Sequence, residues 1–204
     1  MTAPRATGRA PALAVAALTI VAAALRFPSL GRSLWLDEAW RANLVLAPSE
    51  AFWSQLLGAG GGGIGAPMPP LFALALRAVG MVVGHSAVGM RALPVLASLA
   101  AVPLAYVVGR RAGGIAAGLV AALLFAASPT ALLHGQELKQ YSTDVLVVLV
   151  LLASLSAVAA SPSAWRGWIV LAIVMSVAPG VAFPTALVLP GIAVAALACC
   201  RDGR

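Results

Sequence analysis

The sequence predicts an all-α, polytopic membrane protein with about six transmembrane helices and interfacial helices in a long first outer loop. Three observations carry this. Of its 204 residues, 62% are hydrophobic and 9% charged, whereas a soluble domain carries about 25% charged residues; mean hydropathy is +1.01. Apolar runs near the length needed to cross a bilayer recur along the chain. The 13 Lys and Arg residues give a formal net charge of +7, but they are scattered and form no basic tract. That argues against nucleic-acid binding and fits the bias of basic residues toward cytoplasmic loops. Cys199 and Cys200 are adjacent at the end of an apolar run, without metal-ligand spacing; they read as packing residues, with lipidation the alternative.

The first apolar run covers about 10–25, after Arg5 and Arg9. A cleaved leader has a similar basic start and apolar core. Here the run continues through Arg26-Phe27-Pro28 without a polar cleavage region, and further spans follow. It reads as a first span with its N-terminus in the cytoplasm. Residues 26–89 form the outer loop, with Asp37 and Glu38 side by side and Trp35, Trp40 and Trp53 around them, aromatics that favour the membrane interface. "APSEAFWSQLL" (47–57) carries a helix start signal at Ser49. Gly60–Gly63 is a flexible loop, lacking the Lys-Ser/Thr of a phosphate-binding loop and following no strand.

The stretch 69–84 is apolar enough to span, but Arg77 interrupts it. Charge placement decides. With 69–84 lying in the interface and spans at about 90–109, 113–133, 144–160, 166–179 and 184–200, Arg110, Arg111, Arg166, Arg201 and Arg204 share a side with Arg5 and Arg9. If 69–84 crosses, all but the N-terminal pair move outside, against the rule. Both termini are therefore expected in the cytoplasm. Asp37, Glu38, Glu50, Glu137 and Asp144, five of the six acids, then collect at the outer face.

A second polar island, "HGQELKQYSTD" (134–144), opens the fourth span. Read as helix, Glu137, Tyr141 and Asp144 fall at i, i+4 and i+7 on one face. A helix N-terminus there, with Lys139 beside it, would favour a phosphate. The bland reading is a solvated loop with snorkelling side chains, but ionisable groups at membrane depth are functional candidates. Arg91, opening the second span, is either an anchor or a site residue. Arg26, Arg32 and Arg41 are expected to anchor or pair with local acids. His85 and His134 are lone histidines without zinc-site spacing; His134 beside Glu137 leaves a weak metal option.

"LRFPSLGRSLWLDEAW", "PPLF", "MRALPVLASLAAVPLAYVVGRRAGG" and "ASPTALLHGQELKQYSTD" occur in that order and together resemble the N-terminal half of a GT-C glycosyltransferase. The likeness covers about residues 25–160 and is to family 39 and its relatives, the protein mannosyltransferases and lipid A aminoarabinose transferases. It implies a GT-C-like bundle, truncated relative to members more than twice this long, and so a single integral membrane domain over 1–204, with the possibility of another chain supplying further spans. It implies inverting sugar transfer from a polyprenyl-phosphate donor to a lipid, glycan or protein acceptor, at the outer face of the plasma (inner) membrane. It carries Asp37 to the catalytic aspartate with Glu38 its neighbour, and Arg91, Glu137, Lys139, Tyr141 and Asp144 to donor-phosphate and substrate binding. No cofactor is required, and a divalent cation is possible. Two positions depart from the family: Met68 stands where members usually have His before the prolines, and Lys139 where many have Arg.

The chemistry agrees. Such transfer needs a base for the acceptor's proton and cationic help for a departing phosphate. An apolar surface, and an acidic neighbour, would raise the pKa of Asp37 toward a useful value. Glu38 would tune it, orient the acceptor or hold a cation. The competing functions are one half of a transporter or flippase, which would place charges near midplane, and a non-catalytic membrane subunit.

Overall fold

The computed structural model describes residues 9–58 and 68–202; the expected glycine loop at 60–63 lies outside the described residues. These form α-helices and connecting turns, with no strand among them. Helix α1 (Arg9–Arg26) runs into a 3₁₀ turn (Phe27–Ser29). Next come α2 (Leu36–Leu46), α3 (Ser49–Leu56), α4 (Pro70–Val83), α5 (Ala87–Ala127), α6 (Pro129–Gly135), α7 (Tyr141–Ala160), α8 (Trp165–Val181) and α9 (Thr185–Asp202). Three segments are long and apolar enough to cross a membrane, Arg9–Ser29, α5 and α7; α4, α8 and Thr185–Cys200 are shorter apolar helices.

Helix α5 is two helices. A straight helix of 41 residues would be about 60 Å long, twice the roughly 30 Å hydrocarbon core. The backbone breaks at Gly113 and at Gly114, whose φ of 82° suits glycine. The arms, 87–112 and 115–127, fold back on each other. A Cβ on Gly118 would sit 2.7 Å from the Tyr106 carbonyl oxygen, and one on Gly109 2.9 Å from that of Ala117. Arg110 and Arg111 lie at the bend. The second arm stops at Ser128, short of the expected 133. Pro129 disfavours helix at the residue before it, and the Ser128 hydroxyl accepts the Ala131 N–H at 3.3 Å to start α6.

Helix α1 packs on both arms through Val15, Ala22, Val102, Tyr106, Ala122 and Ala126. Arg26, expected as an anchor or an acid's partner, is instead fully buried between them. Its Nε donates to Ser98 Oγ at 2.9 Å, and Nη1 donates to the carbonyls of Ala22 (3.0 Å) and Ala126 (3.4 Å). Helices α7, α8 and α9 share a second core of Leu151, Val158, Leu171, Ala178, Ile192 and Ala196. Arg111 Nη1 donates to Ser156 Oγ at 2.8 Å, tying the α5 bend to the far end of α7.

Helices α2, α3 and α4 make a cap on the opposite end of the bundle, where α5 and α7 begin. Its core joins Ala42, Val45, Phe52, Phe72, Leu76 and Met90 to Leu138; each large side chain buried from water contributes about 1.5–3 kcal/mol. One end of α4 meets the end of α8, Leu71 against Gly180, and the other meets the first turn of α5, Gly84 against Gly89. Helix α4 therefore stays at one end of the bundle. Arg77 is satisfied within the cap: Nη1 donates to the carbonyls of Val45 (3.2 Å) and Ala47 (2.9 Å), and the guanidinium lies 4.6 Å from the Phe52 ring centroid. Helix α3 starts one residue earlier than Ser49 as cap would require. Pro48 takes the cap position, and Ser49 Oγ instead accepts from Arg77 Nη2 at 3.4 Å.

Candidate active site

The two adjacent carboxylates diverge. Neighbours on a helix point about 100° apart, and Asp37 and Glu38 open α2 facing different elements. Glu38 is fully buried. Its Oε1 accepts from Arg91 Nε (3.1 Å) and the Leu138 N–H (2.6 Å); Oε2 accepts from Arg91 Nη2 (2.7 Å) and the Trp35 N–H (3.0 Å). The last bond caps α2 from its third residue. Burial alone would raise the Glu38 carboxyl, but Arg91 and the two backbone donors outweigh it and hold its pKa below the usual range.

Arg91, also fully buried, spends its remaining donors on backbone. Nη1 donates to the carbonyls of Leu30 (2.7 Å) and Arg32 (2.6 Å), and Nη2 to that of Ser33 (3.2 Å). A guanidinium has five N–H groups, and all five have acceptors here. Glu38 and Arg91 form a closed clamp joining the 30–35 turn, α2, α5 and the 136–140 loop.

That clamp also decides the shape of the second island. Residues 136–140 are not helical; α6 ends at Gly135 and α7 begins at Tyr141. Glu38 draws the Leu138 N–H out of any helical bond, so Glu137, Tyr141 and Asp144 do not share one helix face as expected. The loop instead carries Lys139 to Asp37, with Nζ 2.8 Å from Oδ2. Arg41 Nη1 lies 3.6 Å from the same oxygen and donates to the Asp37 carbonyl at 2.9 Å. Asp37 remains about one-third exposed. Its pKa is lowered, chiefly by the Lys139 hydrogen bond, and that of Lys139 is raised by the same bond. The sequence expectation for Asp37 was the opposite. It failed because Glu38 turns away to Arg91 and a cation takes its place.

Beyond Lys139 the charges alternate. Lys139 Nζ lies 3.6 Å from Glu137 Oε2, and His134 Nδ1 lies 3.1 Å from that same oxygen. The His134 ring packs edge-to-face on Tyr141 with centroids 4.6 Å apart, and Lys139 Nζ stands 5.7 Å from the Tyr141 ring centroid. Asp144, in the first turn of α7, is buried; among the described residues its Oδ1 has no hydrogen-bond partner. It lines an apolar cleft of about 390 Å³ with His134, Tyr141, Val148, Leu149 and Pro184. A smaller cavity of about 200 Å³ opens beside it, lined by His134, Tyr141, Ser128, Thr130 and Ser142.

Of the expected site residues, Asp37, Lys139, Glu137 and Tyr141 come together at the surface of the cap, Glu38 and Arg91 lie beneath them, and Asp144 lies along the cleft. Sequence reasoning undervalued Arg41 and His134. Their signals were the i+4 spacing from Asp37 and the i−3 spacing from Glu137. Among the described residues no group of three His, Cys, Asp or Glu side chains could hold a metal ion.

The family model described as dolichyl-phosphate-mannose-protein mannosyltransferase matches residues 67–202, two-thirds of the chain. The matched segment holds Arg91, the 136–140 loop and all the helices from α4 onward; Asp37 and Glu38 precede it. No curated protein and no solved structure matches. An all-helical apolar bundle and this match make the chain an integral membrane protein that belongs to the dolichyl-phosphate-mannose-protein mannosyltransferase family, membrane glycosyltransferases of the GT-C kind.

Proposed function

We propose that this protein transfers a sugar from a polyprenyl-phosphate donor to an acceptor hydroxyl, with inversion, at the outer face of the membrane. The observation that carries the reading is the Asp37–Lys139 pair, 2.8 Å apart and partly open to solvent, set where the cap meets the starts of α5 and α7. A carboxylate and an ammonium are the two groups the reaction needs, and an apolar cleft begins within the same group of side chains.

The chemistry follows from the pairing. In the resting site Lys139 neutralises Asp37. A bound donor phosphate competes for Lys139. As the ammonium turns to the phosphate, Asp37 loses its strongest partner and its pKa rises, making it a better base. Asp37 accepts the acceptor's proton while the acceptor oxygen attacks the anomeric carbon. The bond from that carbon to the phosphate oxygen breaks, and polyprenyl phosphate leaves with its negative charge held by Lys139. Glu38 and Arg91, each saturated by the other and by backbone, act as positioning residues. They fix Asp37 on one side and Lys139 on the other.

The topology we propose has six spans: α1, the first arm of α5, its second arm together with α6, α7, α8 and α9, with both termini cytoplasmic and the cap outside. Its support is charge. Arg110, Arg111 and Arg166 lie at one end of the bundle, and Asp37, Glu38 and Glu137 at the other. The test of function is transfer from a radiolabelled polyprenyl-phosphate sugar in membranes. Asp37→Asn keeps the shape but cannot take a proton, so turnover should fall by about 10²–10⁴-fold at equal expression. Full activity of Asp37→Asn would remove the base assignment.

A further inference from the structure

The alternating chain that starts at Asp37 ends on a side chain that the transfer scheme has not used. Glu137 Oε2 takes His134 Nδ1 at 3.1 Å, and Tyr141 supports the ring from the side. The Ser142 hydroxyl donates to the His134 carbonyl at 3.0 Å, fixing its backbone as well. The ring is held at one nitrogen and by one face, while about one-third of the side chain stays exposed. His134 lines both the 200 Å³ cavity and the 390 Å³ cleft. Among the described residues Nε2 has no hydrogen-bond partner. A carboxylate at Nδ1 is the device that sets an imidazole's orientation.

We propose that His134, oriented by Glu137, is a second phosphate-binding residue of the site, presenting Nε2–H of an imidazolium to the phosphate of a lipid-linked donor. The proposal rests on the donor reading above. Glu137 lies between Lys139 and His134 and meets both with one carboxylate oxygen. With Arg41 beside Asp37, the group carries a surplus of positive charge once His134 is protonated, and an anion completes it. The apolar walls of the cleft, Val148, Leu149 and Pro184, begin beside this ring, so a phosphate there would have its hydrocarbon chain directed along α7. His134 donates a hydrogen bond and charge; no proton needs to leave it during transfer.

The test is the response of transfer and binding to pH and to a permanent cation at this position. The groups facing His134 are Glu137 and, through it, Lys139 from its own loop, and Tyr141 and Asp144 from α7. Phe125 from α5 and Pro184 ahead of α9 add no charge. Full-length protein is assayed for sugar transfer in membranes from pH 5.5 to 8.5, and the purified protein in detergent for binding of farnesyl monophosphate at pH 6 and pH 8.

Wild type should lose activity and farnesyl phosphate affinity as pH rises through that range. His134→Gln should lower transfer at pH 6 by about tenfold or more and remove the slope. His134→Arg, a permanent cation, should restore rate and affinity at pH 8. A merely structural histidine would not produce that rescue. Wild-type transfer with an unchanged profile in His134→Gln, or a slope that disappears in Asp144→Asn instead, overturns the assignment and leaves the donor reading standing. Wild type that neither transfers sugar from any lipid phosphate nor binds farnesyl phosphate overturns both.

Discussion

Replacing Glu38 by Gln should destabilise the protein severely while leaving its surface unchanged. The carboxylate accepts four hydrogen bonds, two from Arg91 and one each from the Trp35 and Leu138 N–H groups. A glutamine oxygen keeps two of these. Its NH₂ then faces two N–H donors whichever way the amide is turned, so two bonds to a charged acceptor are lost, at about 1.5–3 kcal/mol each. Breaking a buried ion pair from one side costs about 3–5 kcal/mol because the other charge stays buried. The two routes agree on about 3–5 kcal/mol. For a chain of this size 1 kcal/mol shifts Tm by about 2–4 °C, so Tm should fall by about 6–20 °C. The assay is thermal unfolding of purified protein in detergent, for Glu38→Gln, Arg91→Met and the double variant. The cycle should be strongly non-additive, with Glu38→Gln costing much less once Arg91 is gone. A fall under 2 °C for Glu38→Gln, or additive single effects, would refute the clamp.

Other expectations are more local. Lys139→Ala should slow transfer, and Lys139→Arg should be milder because it keeps the charge at the Asp37 carboxylate. The Asp37–Lys139 pair should hold across neutral pH. The depressed pKa of Asp37 gives stability that is present above its unfolded value, about 3.9, and is lost as pH falls through the folded one. The raised pKa of Lys139 gives stability that is present below about 10.4 and is lost as pH rises through the folded value. The Tm difference between wild type and Asp37→Asn should therefore be flat from pH 5 to 9 and close only in acid and in strong alkali; a difference that vanishes by pH 6 contradicts the pairing. Gly118→Leu should force the arms of α5 apart, because even a Cβ there meets the Tyr106 carbonyl oxygen at 2.7 Å. A cost of about 1–3 kcal/mol or more should appear as lost Tm. Cysteines introduced at 71 and 83, exposed positions near the two ends of α4, in a background lacking Cys199 and Cys200, should both be labelled from outside; opposite sides would mean that α4 crosses.

The sequence by itself determined the class and the inventory. Composition and the recurrence of apolar runs required a helical membrane bundle, since only self-satisfied backbone crosses lipid cheaply and apolar helices supply it. Charge placement set 69–84 apart from the expected spans. The Gly113-Gly114 pair lay where the expected spans part, and Asp37, Lys139 and Arg91 stood out as charges in an apolar chain. Spacing could not decide which charge meets which. Glu38 looked like the tuner of Asp37 because it is its neighbour in sequence, yet on a helix adjacent side chains diverge. Glu38 closes instead on Arg91, 53 residues away, while Lys139 reaches back about a hundred residues to Asp37. Helical periodicity placed Glu137 on a face with Asp144, but one long-range hydrogen bond, Leu138 N–H to Glu38, unwound that stretch and gave Glu137 to Lys139 and His134. Arg26 looked like an interfacial anchor until packing enclosed it between the arms of α5. Local pattern reports which residues can carry charge and which must avoid water. The partners of a buried charge are set by whatever the fold brings within about 3 Å, because an unpaired charge inside costs more than any local preference.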